Sequence, residues 1–308
     1  MAEPTVLLTG ATGFVGRQVA AALQRRGGAC VALVHQRPAP AELAQARLVH
    51  GDYLDDETTA RLLAEVSPDI VVHAGWRLAP GAAYLDDAGN IDQLAGALRL
   101  FDHALRAGCR RFVGLGTCLE YAGRNGPAAE DAPLDPQTPY AAAKAGLWLA
   151  GSLWARARGA SFAWARLYHP FGPGEPRHRL VPAVITALLR GERVATTAGD
   201  QLRSFLGVED VGDAIAALAL AEVDGAVNIG SADATAVREL VHRIADRLGR
   251  ADLLDVGALP HRPGDPEVLW PDTTRLNDEV GWQPRLSLDD AVAQAIAWWR
   301  AELEAGVV

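Results

Sequence analysis

The run Thr5-Val6-Leu7-Leu8-Thr9 passes directly into Gly10-Ala11-Thr12-Gly13-Phe14-Val15-Gly16 and then into an amphipathic stretch. That order of strand, glycine turn and helix restricts the fold more than any other segment. A first glycine permits the tight turn, a second lets the backbone approach a pyrophosphate, and a third allows the helix to pack closely on the sheet. The opening turn of the helix then presents unpaired N–H groups and a partial positive charge to phosphate oxygens. Gly10, Thr12, Gly13, Phe14, Val15 and Gly16 are therefore the expected contacts of a dinucleotide cofactor.

The following segments agree with that start. Strand-like runs at 5–9, 29–34, 48–50, 70–73, 112–115 and 162–167 alternate with helix-like stretches at 16–26, 56–66, 91–107 and 138–158. Such spacing predicts a parallel sheet covered by helices on both faces, the doubly wound (Rossmann) α/β fold. Ile70-Val71-Val72 is continuously apolar, as a strand buried on both faces must be. Proline and glycine cluster at 169–176 and 260–271, which marks long loops, and 288–304 reads as a closing helix. The expected organisation is a dinucleotide-binding domain over 1–167, completed by about 204–230. A smaller mixed α/β substrate-binding domain is expected from 168–203 and 231–308.

Composition removes several function classes. A net charge of −9 without a basic run argues against a nucleic-acid partner. No window approaches eighteen consecutive apolar residues, so no membrane-spanning helix is expected. The start lacks a basic secretory n-region, and Cys30, Cys109 and Cys118 have neither disulfide nor zinc spacing. A reduced, cytoplasmic protein without a metal is the expectation.

The end of the second strand bears on cofactor choice, because NAD enzymes place a carboxylate there for the adenosine 2′-hydroxyl. This chain reads Val34-His35-Gln36-Arg37, with no acid until Glu42. His35 and Arg37 would attract a 2′-phosphate, so NADP(H) is favoured and NAD(H) stays open.

Among 29 basic residues Lys144 is the only lysine, and it follows Tyr140 by four positions. On a helix that spacing puts both side chains on one face. An adjacent ammonium favours the phenolate, which predicts a tyrosine pKa lowered from its reference near ~10 toward neutrality. The same ammonium can hold the ribose hydroxyls of a nicotinamide cofactor. A phenol so placed can give or take a proton at a carbonyl or alcohol.

With these residues in place, the sequence resembles the extended short-chain dehydrogenase/reductase family, in its nucleotide-sugar epimerase/dehydratase branch. The resemblance spans nearly the whole chain and rests on Gly10, Gly13 and Gly16, then Gly51-Asp52, His73-Ala74, Thr117 ahead of Tyr121, and the Tyr140/Lys144 pair. It implies Asp52 on the adenine, Tyr53 and Ala74 against the cofactor, Asn90 as a support of the active site, and a Thr117, Tyr140, Lys144 triad. Family dehydratases place Asp and Glu directly after the hydroxyl residue; here Cys118 and Leu119 stand there, and neither can serve. Glu120 is displaced by one residue, which on an extended segment turns it to the other face. In the second region the resemblance implies substrate contacts from Leu180 and Val181, a diphosphate clamp of Arg203 and Arg262, and Asp265 on the nucleotide ribose. His169 replaces the family asparagine that contacts substrate phosphate. A homodimer is implied through the helices after Asn90 and around Tyr140, with Leu98, Phe101, Leu105, Leu147, Trp148 and Trp154 available. The leading expectation is NADPH-dependent 4-keto reduction of a nucleotide sugar. An NAD-retaining 4-epimerase is the alternative, and a non-catalytic dinucleotide-binding scaffold a further one.

Overall fold

The computed structural model describes residues 3–121, 126–261 and 264–306. Alternating apolar runs and helix formers resolve into β1 (Thr5–Thr9), α1 (Phe14–Arg25), β2 (Ala29–Val34), β3 (Arg47–His50), α2 (Asp56–Val66), β4 (Ile70–His73), α3 (Gly89–Arg106), β5 (Arg111–Thr117), α4 (Pro139–Arg158), β6 (Ser161–Leu167) and β7 (His169–Phe171). Short strands become common after that point. The order continues α5 (Leu180–Leu189), β8 (Val194–Ala195), β9 (Leu202–Arg203), β10 (Phe205–Gly207), α6 (Val208–Leu220), β11 (Gly225–Ile229), β12 (Thr235–Ala236), α7 (Val237–Leu248), β13 (Leu254–Asp255), β14 (Val268–Leu269), α8 (Thr274–Asp278) and α9 (Leu288–Glu304).

Seven strands pair in parallel in the order β11-β6-β5-β4-β1-β2-β3. Their direction of winding reverses between β1 and β4, and ligands of such sheets sit beyond the strands' carboxyl ends at that point. One apolar layer fills the space between the sheet and α1 with α6, and a second lies under α2, α3 and α4. Gly212 lets α6 lie on α1, since a Cβ there would come 2.5 Å from the Gln18 backbone. A third core joins α5, α7 and α9 beside small sheets β7–β10, β12-β9-β14 and β8–β13.

Local signals set the ends that matter. Thr138 caps α4 by accepting from the Ala141 amide at 3.2 Å, Pro139 opens the helix, and Gly159 ends it with φ +66°. Tyr140 is thereby fixed in the first turn. Several boundaries differ from the sequence expectation. Strand β5 runs on to Thr117, so the hydroxyl residue closes the strand instead of sitting in a following loop. Helix α1 begins at Phe14 because Gly13, extended at φ −81°, is its cap. Strand β11 is additional to the six runs expected as strands; the crossover through α6 returns it to pair with β6. All three cysteines are buried and free. Among the described residues no helix is long and apolar enough to cross a membrane, and no cluster of three or more His, Cys, Asp or Glu could hold a metal.

Candidate active site

The glycine turn is built by close contacts. Gly10 has φ +68°, and a Cβ on it would lie 2.6 Å from the Ala74 carbonyl and the Gly75 nitrogen. A Cβ on Gly16 would overlap the Gly10 carbonyl, so α1 starts directly against the turn. Thr9 braces the ends of β1 and β4: its Oγ1 is hydrogen-bonded to His73 Nδ1 at 2.8 Å and accepts from the Gly75 amide at 3.1 Å. Burial, with the Lys144 charge adding, drives the His73 pKa down to about 3, so the ring is neutral. Gly13 caps α1 without a side chain over its end, which leaves first-turn N–H groups for an anion. Thr12, Phe14, Val15 and Ala74 are half-buried at this edge. The turn thus fits a pyrophosphate.

The other expected cofactor residues differ in their freedom. Asp52 accepts from the Leu54 amide at 3.1 Å and is paired with the Arg77 guanidinium. Tyr53 is buried beside the glycine turn, where a Cβ on Gly75 would lie 3.1 Å from its ring. Its ring meets His73 edge-on at 4.9 Å, and its hydroxyl donates to Gln93 Oε1 at 3.1 Å. His35 and Arg37 are exposed just beyond β2.

Thr117, Tyr140 and Lys144 come from the end of β5 and the start of α4. The Lys144 ammonium is buried; it donates to the Leu115 carbonyl at 2.8 Å and lies 3.8 Å from the centre of the Trp76 ring. It stands 6.0 Å from the Tyr140 ring centre. The expected lowering of the Tyr140 pKa is not found. Burial pushes it up, with Tyr84, Glu120 and Cys118 adding, because the ammonium is turned onto Trp76. Burial also brings the Lys144 pKa down to about 7 against an opposing pull from Glu120. Trp76 and Tyr84 meet the Tyr140 ring edge-on at 6.4 and 5.0 Å, and sequence reasoning missed both. Asn90 ties them together: it accepts from Trp76 Nε1 at 2.9 Å and donates to the Tyr84 carbonyl at 2.8 Å. No local spacing signal marks Trp76 or Tyr84: Trp76 lies in an irregular segment and Tyr84 in a single 3-10 turn, Ala83–Leu85.

The residues expected at substrate converge from β7, α5 and β9. His169 is half-buried, its Nδ1 has no hydrogen-bond partner among the described residues, and its ring meets Phe205 edge-on at 5.7 Å. Burial, with Arg203 and Arg179 adding, takes its pKa down to about 3. Arg203 donates to Asp265 Oδ1 at 2.8 Å and to the Leu202 carbonyl at 2.9 Å, so two residues expected to grip different parts of a ligand hold each other. Leu180 is exposed at the start of α5, whereas the Val181 side chain packs in the third core. Arg262 lies outside the described residues. Cys118 is buried and its thiol is pushed up to about 12 by burial, so it cannot serve as an acid or base near neutrality. Leu119 is half-buried against a small core that includes Cys118, Tyr121, Tyr168 and Leu269. The Glu175 carboxylate, also missed, is buried against Arg179 at 3.2 Å, with its pKa raised by burial to about 7.

A doubly wound sheet, a pyrophosphate turn, and a phenol one helical turn from an ammonium define an α/β dinucleotide-dependent enzyme. The model of the NAD dependent epimerase/dehydratase family matches residues 6–230, and the chain belongs to that family, within the extended short-chain dehydrogenase/reductases. It is 31% identical, over 96% of its length and 93% of the relative's, to a dTDP-glucose 4,6-dehydratase of Streptomyces griseus. It is 30% identical, over 99% of its length and 98% of the relative's, to a dTDP-6-deoxy-L-talose 4-dehydrogenase (NAD(P)(+)) of Kitasatospora kifunensis. The crystal structure of the UDP-glucose 4-epimerase of Thermus thermophilus in complex with NAD is similar at a TM-score of 0.85 and 25% identity, covering 96% of this chain and 99% of that one.

Proposed function

We propose that the protein is an NADP(H)-dependent reductase of a nucleoside-diphosphate 4-keto-deoxysugar. The observation that carries this is a complete Thr117, Tyr140, Lys144 set followed by Cys118 and Leu119, a shielded thiol and an alkyl chain where dehydration would need acids. Burial keeps the proton on Tyr140 at neutral pH, which suits donation to a carbonyl oxygen. Thr117 Oγ1 is the second group for that oxygen, and Lys144 holds the ribose. When bound, the nicotinamide supplies the hydride. Gly10, Thr12, Gly13, Phe14, Val15, Gly16, Asp52 and Ala74 are the cofactor contacts in this reading, and the exposed His35 and Arg37 favour NADP(H). His169, Leu180, Arg203, Arg262 and Asp265 form the nucleotide-sugar side, carried by the substrate-binding part expected at 168–203 and 231–308. Similarity to a 4-dehydrogenase supports redox chemistry at C4.

The reading includes a cytoplasmic homodimer. Three buried free thiols fit a reducing compartment. Ile91 on α3 and Leu149, Leu153 and Trp154 on α4 are exposed apolar residues on the two helices expected to pair.

The intact set of three residues speaks against a non-catalytic scaffold. The NAD-bound epimerase neighbour keeps a 4-epimerase as the second reading. Mass spectrometry of the cofactor released from denatured protein, followed by assay of NADPH oxidation with UDP-, dTDP-, GDP- or CDP-linked 4-keto sugars, separates the two. An empty protein that consumes NADPH with one of these substrates is expected. Tightly held NAD, with interconversion of 4-hydroxyl epimers and no net NADPH use, would establish the epimerase instead.

A further inference from the structure

Beside Thr117, on the face of the sheet that α4 covers, lies a buried ionic cluster that the proposed chemistry does not use. Glu120 is fully buried, and its Oε1 accepts from the Thr117 amide at 2.8 Å. Both of its oxygens accept from Trp164 Nε1 at 3.0 Å, and Oε2 accepts from Arg166 Nε at 2.8 Å. Arg166, 1% exposed, donates onward to the Tyr121 hydroxyl at 2.7 Å and the Glu130 carbonyl at 3.0 Å, and Tyr121 donates to Asn228 Oδ1 at 2.8 Å. Two glycines make room, since a Cβ on Gly114 or Gly116 would overlap the Trp164 indole. A buried ion pair costs desolvation and is seldom favoured for stability alone. Here the carboxylate touches the backbone of one proposed catalytic residue, and its charge favours the ammonium of another.

We propose that Glu120 is a positioning residue of the active site: its carboxylate fixes the Thr117 backbone at the end of β5 and, beyond its pairing with Arg166, biases the buried Lys144 toward the charged form. The inference rests on the assignment of Thr117 and Lys144 above. Groups around Lys144 sharpen it. His73 is neutral, Trp76 offers only its ring face, and Tyr140 keeps its proton. Among the described residues Glu120 is therefore the acid whose field favours the ammonium. Removing a nearby negative charge lowers the pKa of an ammonium.

The chain's single lysine makes this directly readable. Protein labelled with [ε-13C]lysine gives one side-chain signal, whose chemical shift against pH reports the Lys144 titration in the holoprotein and without cofactor. Glu120→Gln keeps an acceptor for the Thr117 amide and removes the charge. Its midpoint is expected about one pH unit or more below wild type, with cofactor affinity at pH 8 weakened about tenfold, by the ~1.4 kcal/mol that accompanies each unit or decade. Because Glu120→Gln leaves the Arg166 charge unpaired, the double variant Glu120→Met/Arg166→Met removes the pair as an apolar unit that folds retain more readily. It is expected to shift the midpoint in the same direction by a smaller amount. A purely structural role would lower the melting temperature and leave the midpoint of the folded protein in place. An unmoved midpoint in a folded Glu120→Gln, or in the double variant where the single one does not fold, overturns the proposal. Since the titration needs no substrate, absence of activity on nucleotide sugars would count against the proposed reaction and not against this role.

Discussion

Burial brings the Lys144 pKa down to about 7, while the chemistry proposed for it uses the charged form. The stability consequence follows from linkage. Between about 7 and the ordinary lysine value near ~10.4, the unfolded chain holds a proton that the folded chain has released, so this residue makes stability rise with pH across that window. Lys144→Met removes the slope and the cost of burying a cation. The variant is expected to melt higher than wild type at pH 7 without cofactor, and to lose at least ~10²-fold in turnover. Urea titrations of both proteins at pH 7 and 8.5 check this, because other titrating groups cancel in the difference. A stability difference that stays constant over that range contradicts it. The Tyr140/Lys144 pair was readable from a four-residue spacing and the absence of any other lysine. The direction of the tyrosine shift was not, because it depends on Trp76, Tyr84 and Cys118, none of them near in the helix.

At the scale of elements, α4 shows why apolar residues alone do not locate an interface. The helix carries apolar side chains on both faces. Phe101 and Leu147, expected at a dimer contact, are fully buried toward the sheet, and Trp148 stacks on Trp164 at 6.4 Å. Leu98 and Leu105 are half-buried against the second core, and Trp154 stays exposed beside Leu149 and Leu153. Leu153→Glu places a charge at the centre of that face. It is expected to convert a dimer to a monomer by light scattering at micromolar concentration, with the melting temperature of the protomer nearly unchanged. A dimeric Leu153→Glu, or a monomeric wild type, would remove the interface. Elements with local signatures, such as β1 with its glycine turn and α4 with Thr138 and Gly159, were legible in advance. Strand β11 was not among the expected strands, since its place is set by pairing with β6 some sixty positions earlier.

Across the whole molecule, the glycine turn and the residues proposed for the nucleotide sugar come from segments far apart in the sequence. Arg203 on β9 is held by Asp265, a residue 62 positions later, in a pairing that no motif records. Arg203→Ala is expected to raise KM for the nucleotide sugar about tenfold, by loss of a charge-assisted hydrogen bond worth ~1.5–3 kcal/mol. Cofactor affinity should hold, because the Gly10 to Gly16 turn is built without Arg203. Fluorescence titration with NADPH alongside steady-state kinetics distinguishes the two effects, and equal loss of both affinities contradicts the separation.

The cluster beside Thr117 also bears on how such a chain can change. Gly114 and Gly116 exist there to admit the Trp164 indole, the indole donates to Glu120, and Glu120 neutralises Arg166. A side chain at either glycine displaces the indole, and loss of the acid strands a cation in the interior. A replacement at any one of these five positions is therefore expected to cost stability, and change there is expected to come in concert.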